Sequence, residues 1–469
     1  MATMYGVNFD AIALEKTPKI LKKVYNTKGR LMQMFKKDTT RIEAGGKYAR
    51  IPLHVGGNVN DGTRRVDMQG SARLMPAYGD GQQFDEGRVN ITNYYHSHYL
   101  DRAKVDALKG NNNAIIELIA FEMDKGMSDA VKQINRLLHR DGTGLICELV
   151  SDANSATQQI CMCGADLKTG GNAVLGADYI NGVPMTHLRK NKQYQVIKWT
   201  AGTGKFNYVA PTATANDAIT LSSMNINNRT ITLSSAVDTS AAADRFFLAE
   251  FGNVYCENKT TFISNDPLGL ISLVNQGNIK IRGAAAIENI LDNSKVCDID
   301  AVSKDYWNSK GNYATVLRDW SEHETLKLLQ MMDFEGLEDW KNFVMMLNPD
   351  ALLKIATILE DDTQKMFYET LEGGYRLGKF RGLNADVGFV EDWDAAENTI
   401  RGFKFDYILL ATIIDNILNW DNFDGQIWTT GKINRQDAIM AMIYARFNAA
   451  ITARNQSFVY NALDNSVTP

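Results

Sequence analysis

Apolar and polar positions divide the chain into stretches of different period. Ile116, Ile119, Ala120, Met123, Met127, Ala130, Val131, Ile134, Leu137 and Leu138 recur at three- and four-residue steps, which places their side chains on one face of a helix. Asn111, Asn112 and Asn113 precede them as N-cap candidates, and RDGTG after His139 supplies turn glycines. A single helix over Ala114–His139 is expected, about 39 Å long at a rise of about 1.5 Å per residue. Upstream, KYARIPLHV alternates Tyr48, Arg50, Pro52 and His54 with Ala49, Ile51, Leu53 and Val55, the period of a strand. Pro52 assigns that strand to an edge, because proline donates no ladder hydrogen bond. From Gly56 to Gly87 the chain is polar and punctuated by glycine, and RVNITNYYHSHYL (88–100) then returns as a second strand. Roughly thirty loop residues between paired strands is long for a compact domain. Val66, Met68, Leu74, Met75, Tyr78 and Phe84 within that loop would lack cover unless another chain supplied it, so a projecting two-stranded loop is expected.

Gly144 to about Asn275 has almost no helical period. Gln193–Trp199 and Ala218–Leu221 alternate, and Met224–Val237 reads as strand, turn and strand around Asn227 and Asn228. A small β-barrel or β-sandwich, inserted into something else, is the expectation here. Beyond Pro267 the pattern is mixed: helix over Tyr313–Met332, strand over Phe343–Leu347, helix over Asp350–Leu359, strand over Ala385–Val390, and an alternation over Ile433–Ala453 that fits neither period cleanly. The fold class is therefore α+β. Residues 1–37 carry Ile20, Leu21, Val24, Leu31, Met32, Met34 and Phe35 among lysines and read as an arm with short helical pieces.

Composition narrows the function classes. A length of 469 residues leaves room for two or three cores, and 45% hydrophobic with 22% charged residues excludes a disordered or fibrous chain. A formal net charge of -5 makes the whole chain a poor ligand for a polyanion, since such binding depends on neutralising phosphates. The distribution is uneven: residues 1–37 hold eight basic against two acidic residues, and residues 333–374 hold ten acidic against three basic. Opposed patches of +6 and -7 either give register to a subunit that associates with copies of itself or are two unrelated solvated faces. Five cysteines, Cys147, Cys161, Cys163, Cys256 and Cys297, fit reduced thiols better than a disulfide framework. Met1–Asp10 has no charged start followed by an apolar core, and Phe405–Trp420 is interrupted by Asp406 and Asp415 and falls short of the roughly 20 residues of a span. A soluble intracellular product is expected.

The chemical motifs are weak. TAGTGKF (200–206) fails as a phosphate loop: Trp199 stands where the first glycine belongs, and Phe206 where a hydroxyl would hold magnesium, so a hairpin turn is expected. Cys161 and Cys163 with Cys147 and Cys256 would need the fold to gather four thiolates without any CxxC spacing. His96 and His98 share one face of a strand but have no third ligand in the pattern. No HExxH, GxSxG or nucleophile with a placed histidine occurs among the six histidines' surroundings. The Glu360-Asp361-Asp362 cluster reads as a solvated surface or a partner for basic residues. No enzyme, cofactor or metal is expected.

The order of these features carries a resemblance. A basic arm, GGKYARIPLHVGGN (45–58) opening a long loop, a returning strand, a long helix and RDGTG, followed by NDPLGLISLVNQGN (265–278) and FVMMLNPDALLKI (343–355), resembles the major capsid protein of tailed bacteriophages, the Hong Kong-phage-like capsid fold. The resemblance implies an N-terminal arm at 1–37, an E-loop at 38–100, a P-domain spine helix at 101–145, a β-rich A-domain or insertion region at 146–275, and the remaining A- and P-domain parts at 276–469. It implies a structural subunit that assembles as hexamers and pentamers into an icosahedral shell around packaged double-stranded DNA, in the virion and first in the bacterial host cytoplasm. Partners so implied are copies of the chain, a separate scaffolding protein, a portal and, optionally, a decoration protein, with DNA enclosed but not read and no membrane. Contacts between subunits are expected at Arg50, Arg64, Arg65, Arg73, Phe84 and Glu86 on the loop and at Glu360, Asp361 and Asp362 on the acidic segment. Some members cross-link through an E-loop lysine; none lies between Tyr48 and Ala103, so boiling in detergent is expected to release monomers. Two other readings stand beside this one: an encapsulin-like nanocompartment shell, and a metal-dependent hydrolase with a site dispersed along the sequence.

Overall fold

A computed structural model of the chain describes residues 3–4, 7–8, 29–40, 47–56, 83–108, 111–152, 155–162, 183–200, 202–209, 218–225, 230–237, 244–256, 263–275, 295–301, 304–312, 318–337, 340–361, 367–370, 376–381, 386–413, 417–421, 428–431, 438–461 and 463. It is a mixed α+β protein with many strands and few helices, arranged around three apolar cores.

The long helix runs over Asn112–His139. Asn111 caps it, its side-chain oxygen accepting from the backbone N–H of Ala114 at 3.2 Å, and Gly142 and Gly144 beyond it adopt φ of 80° and 77°. Its buried stripe runs through Ile115, Ile119, Met123, Met127, Ala130, Val131, Ile134 and Leu138. The stripe begins at Ile115, whereas Ile116 is only partly buried: a one-residue difference that comes from which side the sheet approaches.

That sheet draws on distant parts of the chain. Thr92–Asp101 pairs antiparallel with the 14-residue strand Ala438–Ile451, whose other edge pairs with Ile408–Thr412, Asn419–Trp420 and Trp428–Gly431. Ile408–Thr412 in turn pairs parallel with Lys36–Asp38, just after the short helix Arg30–Met34. The ambiguous alternation over 433–453 thus contains a strand. Up to Phe447 it buries Ala441, Ile443, Ala445 and Phe447 on one face, whereas its end, Phe447–Ile451, is buried on both faces, which blurs the period.

The strand expected to run unbroken over 88–100 is divided at Ile91. Gln83–Asn90 pairs with Tyr48–Gly56 in a two-stranded sheet of its own, and Thr92–Asp101 leaves for the sheet under the helix. The inward-facing positions change parity at the junction, from Val89 to Tyr94, His96, His98 and Leu100, a slip of one residue that reading 88–100 as one strand passed over. Pro52 does sit in an edge strand, exposed and opposite Glu86.

The β-rich middle closes on itself. Gln193–Thr200, Ile219–Asn225, Thr230–Leu233, Ser155–Met162, Leu145–Asp152 and Arg245–Glu250 pair in that order, all antiparallel, and Arg245–Glu250 pairs back onto Gln193–Thr200. Of the two expected forms it is the barrel, which leaves none of these six strands as an open edge. Ile146, Tyr194, Val196, Leu221, Ile231 and Leu248 fill it. TAGTGKF is the expected hairpin turn: Lys205–Tyr208 pairs with the end of Gln193–Thr200, Gly204 has φ of 61°, and Phe206 is fully buried.

A third unit is a seven-stranded mixed sheet in the order Lys310–Asn312, Phe458–Tyr460, Ile400–Lys404, Phe343–Leu347, Asp386–Glu391, Arg376–Arg381, Phe367–Thr370. Phe343–Leu347 is buried at every position because each face of the sheet meets a core there, Phe343, Met345 and Leu347 on one side and Val344 and Met346 on the other. Helices Glu322–Phe334 and Pro349–Asp361 add Leu328, Leu329, Met332, Ala351 and Ile355 to its core. The first of these was expected to begin near Tyr313. It begins after Ser321, whose hydroxyl accepts from Glu324 N at 3.4 Å, and residues 313–317 lie outside the described residues. Among the described residues no helix is long and apolar enough to cross a membrane, and Phe405–Trp420 holds a short 3-10 turn and two strands.

Candidate intersubunit surfaces

The two-stranded hairpin is the first place where predicted site residues meet. Ala49, Ile51, Leu53 and Val89 are buried on one face; Arg50 and Arg88 sit directly opposite each other on the exposed face. Like charges so placed repel, and Glu86 relieves this: Arg50 Nε lies 3.5 Å and Arg88 Nε 3.0 Å from Glu86 Oε1. The predicted contacts Arg50 and Glu86 are thus brought together within one chain, in an exposed triad of net +1. Arg64, Arg65, Arg73 and Asp362 lie outside the described residues; Phe84 lies in the strand Gln83–Asn90, and Glu360 and Asp361 end the helix Pro349–Asp361, their side chains likewise outside the description.

The hairpin is latched to the body along its second strand. Arg88 N donates to Cys297 O at 2.8 Å, Tyr306 Oη donates to Asp85 Oδ2 at 2.5 Å, and Lys304 Nζ lies 3.1 Å from the same carboxylate. The Tyr306 hydrogen bond and then Lys304 hold the Asp85 carboxyl below its ordinary range. These anchors are far apart in sequence, and no local pattern announces them.

Sequence reasoning also missed a buried ionic junction at the C-terminal end of the long helix. Arg140 is fully buried, with Nη2 2.5 Å from Glu250 Oε1 and Nη1 3.2 Å from Asp266 Oδ2. Lys192 Nζ reaches Glu250 Oε2 at 2.5 Å, and Gln133 Nε2 donates to Glu250 Oε1 at 3.1 Å. Burial alone would raise the Glu250 carboxyl, but Arg140 and Lys192 outweigh it and hold it well below the usual range. One turn earlier, Asn135 donates to Asp392 and Asp394 and accepts from Leu31 N, while His139 Nε2 lies 3.0 Å from Asp392 Oδ2. Burial is again outweighed, here by His139, and the Asp392 carboxyl falls to about 2. Helix, barrel, mixed sheet and the Arg30–Met34 segment are joined at this one point. The readable signal was the run His139-Arg140-Asp141, charged residues where the helix should have turned to solvent.

Of the candidate metal ligands, His96 and His98 have ring centroids 4.8 Å apart, edge to face, and His98 lies 5.7 Å from the Trp420 ring. His98 presses against the long helix at Gly126, where an added Cβ would lie 1.3 Å from Cε1. Burial, with His96 adding to it, lowers the His98 imidazole to about 4. Cys147, Cys256 and Cys297 are separate buried thiols, Cys161 lies in a strand whose side chains are outside the description, and Cys163 is outside the described residues. Among the described residues no three His, Cys, Asp or Glu side chains gather as a metal site.

Between hairpin, helix-bearing sheet and barrel lies a cleft of about 1350 Å³. One wall is Asn93–Ser97; facing residues include Arg189, Lys192, Glu250, Phe251 and Ile263. Exposed apolar side chains stand at Tyr95, Tyr99, Phe121, Phe334, Leu353 and Trp393, scattered over several units as is ordinary for a protein surface.

No family model and no curated protein sequence matches the chain. Solved structures to which it is similar include a chain of the cyanophage A-1(L) capsid asymmetric unit, at 10% identity over 93% of both chains with a TM-score of 0.42. Others are Mycobacterium phage Bobi, at 9% identity over 94% of this chain and 92% of that one with a TM-score of 0.39, and the virus-like particle from Pyrococcus furiosus, at 8% over 94% and 96% with 0.36.

Proposed function

We propose that the chain is a shell-forming capsid subunit of the tailed-bacteriophage type. The observation that carries this reading is the combination of a latched hairpin on a sheet of its own with a 28-residue helix lying on a sheet built from both ends of the chain. A two-stranded ribbon is marginal by itself, and this one is bound to the body along Asp85–Arg88 and through the buried side chains of Ile51, Leu53 and Val89. Its far end, leading into 57–82, gains stability by lying on a neighbour. In this reading the hairpin is the root of an E-loop, the long helix is the spine of the P-domain, and the mixed sheet with the barrel forms the A-domain and its insertion. Hexamers and pentamers then close around packaged DNA through many modest contacts, with a separate scaffolding protein and a portal. Negative-stain microscopy and sedimentation of the expressed chain test this: capsomers or closed particles are the expected result, and a chain that stays monomeric at every concentration overturns it. Particles loaded with protein cargo in place of nucleic acid would point instead to a nanocompartment.

A further inference from the structure

We propose that the strand Thr92–Asp101 is a self-pairing edge, along which two copies of the chain join antiparallel about a two-fold axis at Ser97. One edge of this strand pairs with Ala438–Ile451 in unbroken register, from Thr92 opposite Phe447 to Asp101 opposite Ala438. The other edge has no strand neighbour among the described residues. An edge of ten residues without a strand partner among the described residues, about 33 Å at about 3.3 Å per residue, is a template for a further strand. Protein edges of this length are commonly blunted by lysine, proline, an inward charge or a bulge. From Thr92 to Leu100 there is no Lys, Arg, Pro, Asp or Glu, the strand's one charge being its last residue, Asp101, and Tyr95 and Tyr99 are each 55% exposed on the face away from the helix. Space lies beside the edge, since Asn93–Ser97 form one wall of the large cleft.

The identity of the occupant follows from residue order. Tyr95-His96-Ser97-His98-Tyr99 reads the same in both directions. An antiparallel pairing centred on Ser97 therefore sets Tyr95 of each copy opposite Tyr99 of the other, and His96 opposite His98. Cross-strand aromatic pairs are favourable, and a contact made by one patch with its own copy is the isologous form a two-fold axis requires. Burial lowers both histidines, so at neutral pH no like charges meet along the ladder. Two nine-residue strands with four exposed tyrosines cover far less than the roughly 800 Å² per partner of a standard interface, so the edge joins copies that other contacts hold together. The inference rests on the shell reading for that setting, not for its register.

Residues opposite each other in an antiparallel pair are about 4.5–5.5 Å apart at Cα, within the roughly 4.4–6.8 Å reach of a disulfide. The test oxidises the full chain carrying Ser97→Cys with copper phenanthroline, after concentration and assembly, and reads a non-reducing gel beside negative-stain images. The expected result is a dimer band that the unsubstituted chain lacks. A mixture of Tyr95→Cys and Tyr99→Cys chains should cross-link where neither alone does. Particles without the Ser97→Cys dimer overturn the proposal and leave the shell reading standing; the dimer without particles upholds the proposal and overturns the shell reading. Hydrogen exchange of the unsubstituted chain needs no variant: slowed exchange over 93–101 on association supports the edge, and unchanged exchange overturns it.

Discussion

Arg140 is a fully buried cation whose two carboxylate partners come from the barrel strand Arg245–Glu250 and the segment before the short helix Leu270–Leu273. Removing one member of such a group strands the others without compensation, which typically costs about 3–5 kcal/mol. Arg140→Met is expected to lose that much in denaturant unfolding at pH 7. The loss should shrink already as pH falls from 7 towards the ordinary carboxylate range, because burial without Arg140 raises Glu250 and Asp266 and they escape their charge by taking up protons. His98 sets a second pH dependence. Its imidazole titrates near 6.5 when unfolded and near 4 in the fold, so the unfolded chain binds the extra proton between those values. Stability from this group is complete above pH 6.5 and declines as pH falls through 4, by at most about 3 kcal/mol at about 1.4 kcal/mol per pH unit. Stability curves of His98→Leu should be flatter across that window; a curve parallel to the unsubstituted chain's would contradict the assignment.

Packing of the long helix on its sheet depends on a close approach at Gly126. The His98 ring occupies the space that any side chain at 126 would need. Gly126→Ala is expected to destabilise by about 1–3 kcal/mol through overpacking, even though alanine is the better helix former. Gly126→Ala with His98→Ala should recover part of this loss, and thermal unfolding of the two variants measures it. The hairpin obeys a different logic, since its exposed Arg50, Glu86 and Arg88 are worth little in stability and its attachment rests on Asp85, Tyr306 and the backbone of Cys297.

For the whole molecule, charge distribution matters more than its total of -5. The arm at 1–37 is basic and 333–374 is acidic, and the described part of the hairpin adds a surface triad of net +1. If arginines of the loop meet acidic residues of a neighbour, Arg64→Glu with Arg65→Glu should reduce particle yield, scored by sedimentation. Unchanged assembly would remove these arginines from the contact.

The amino-acid order was sufficient for elements that report their own surroundings. Asn112–His139, Phe343–Leu347, the 200–206 turn and the strand-rich character of the middle all have a period or turn chemistry confined to a few neighbouring residues, and each was legible. Partner choice was not. The break at Ile91 that sends Thr92–Asp101 to pair with Ala438–Ile451, the closure of the barrel through Gln193–Thr200, and the gathering of Arg140, Glu250 and Asp266 each join residues more than a few dozen positions apart. Local pattern records whether a residue is covered, because burial sets the period. Which segment covers it follows from how all the covered faces fit at once, and that is settled only when the chain is folded.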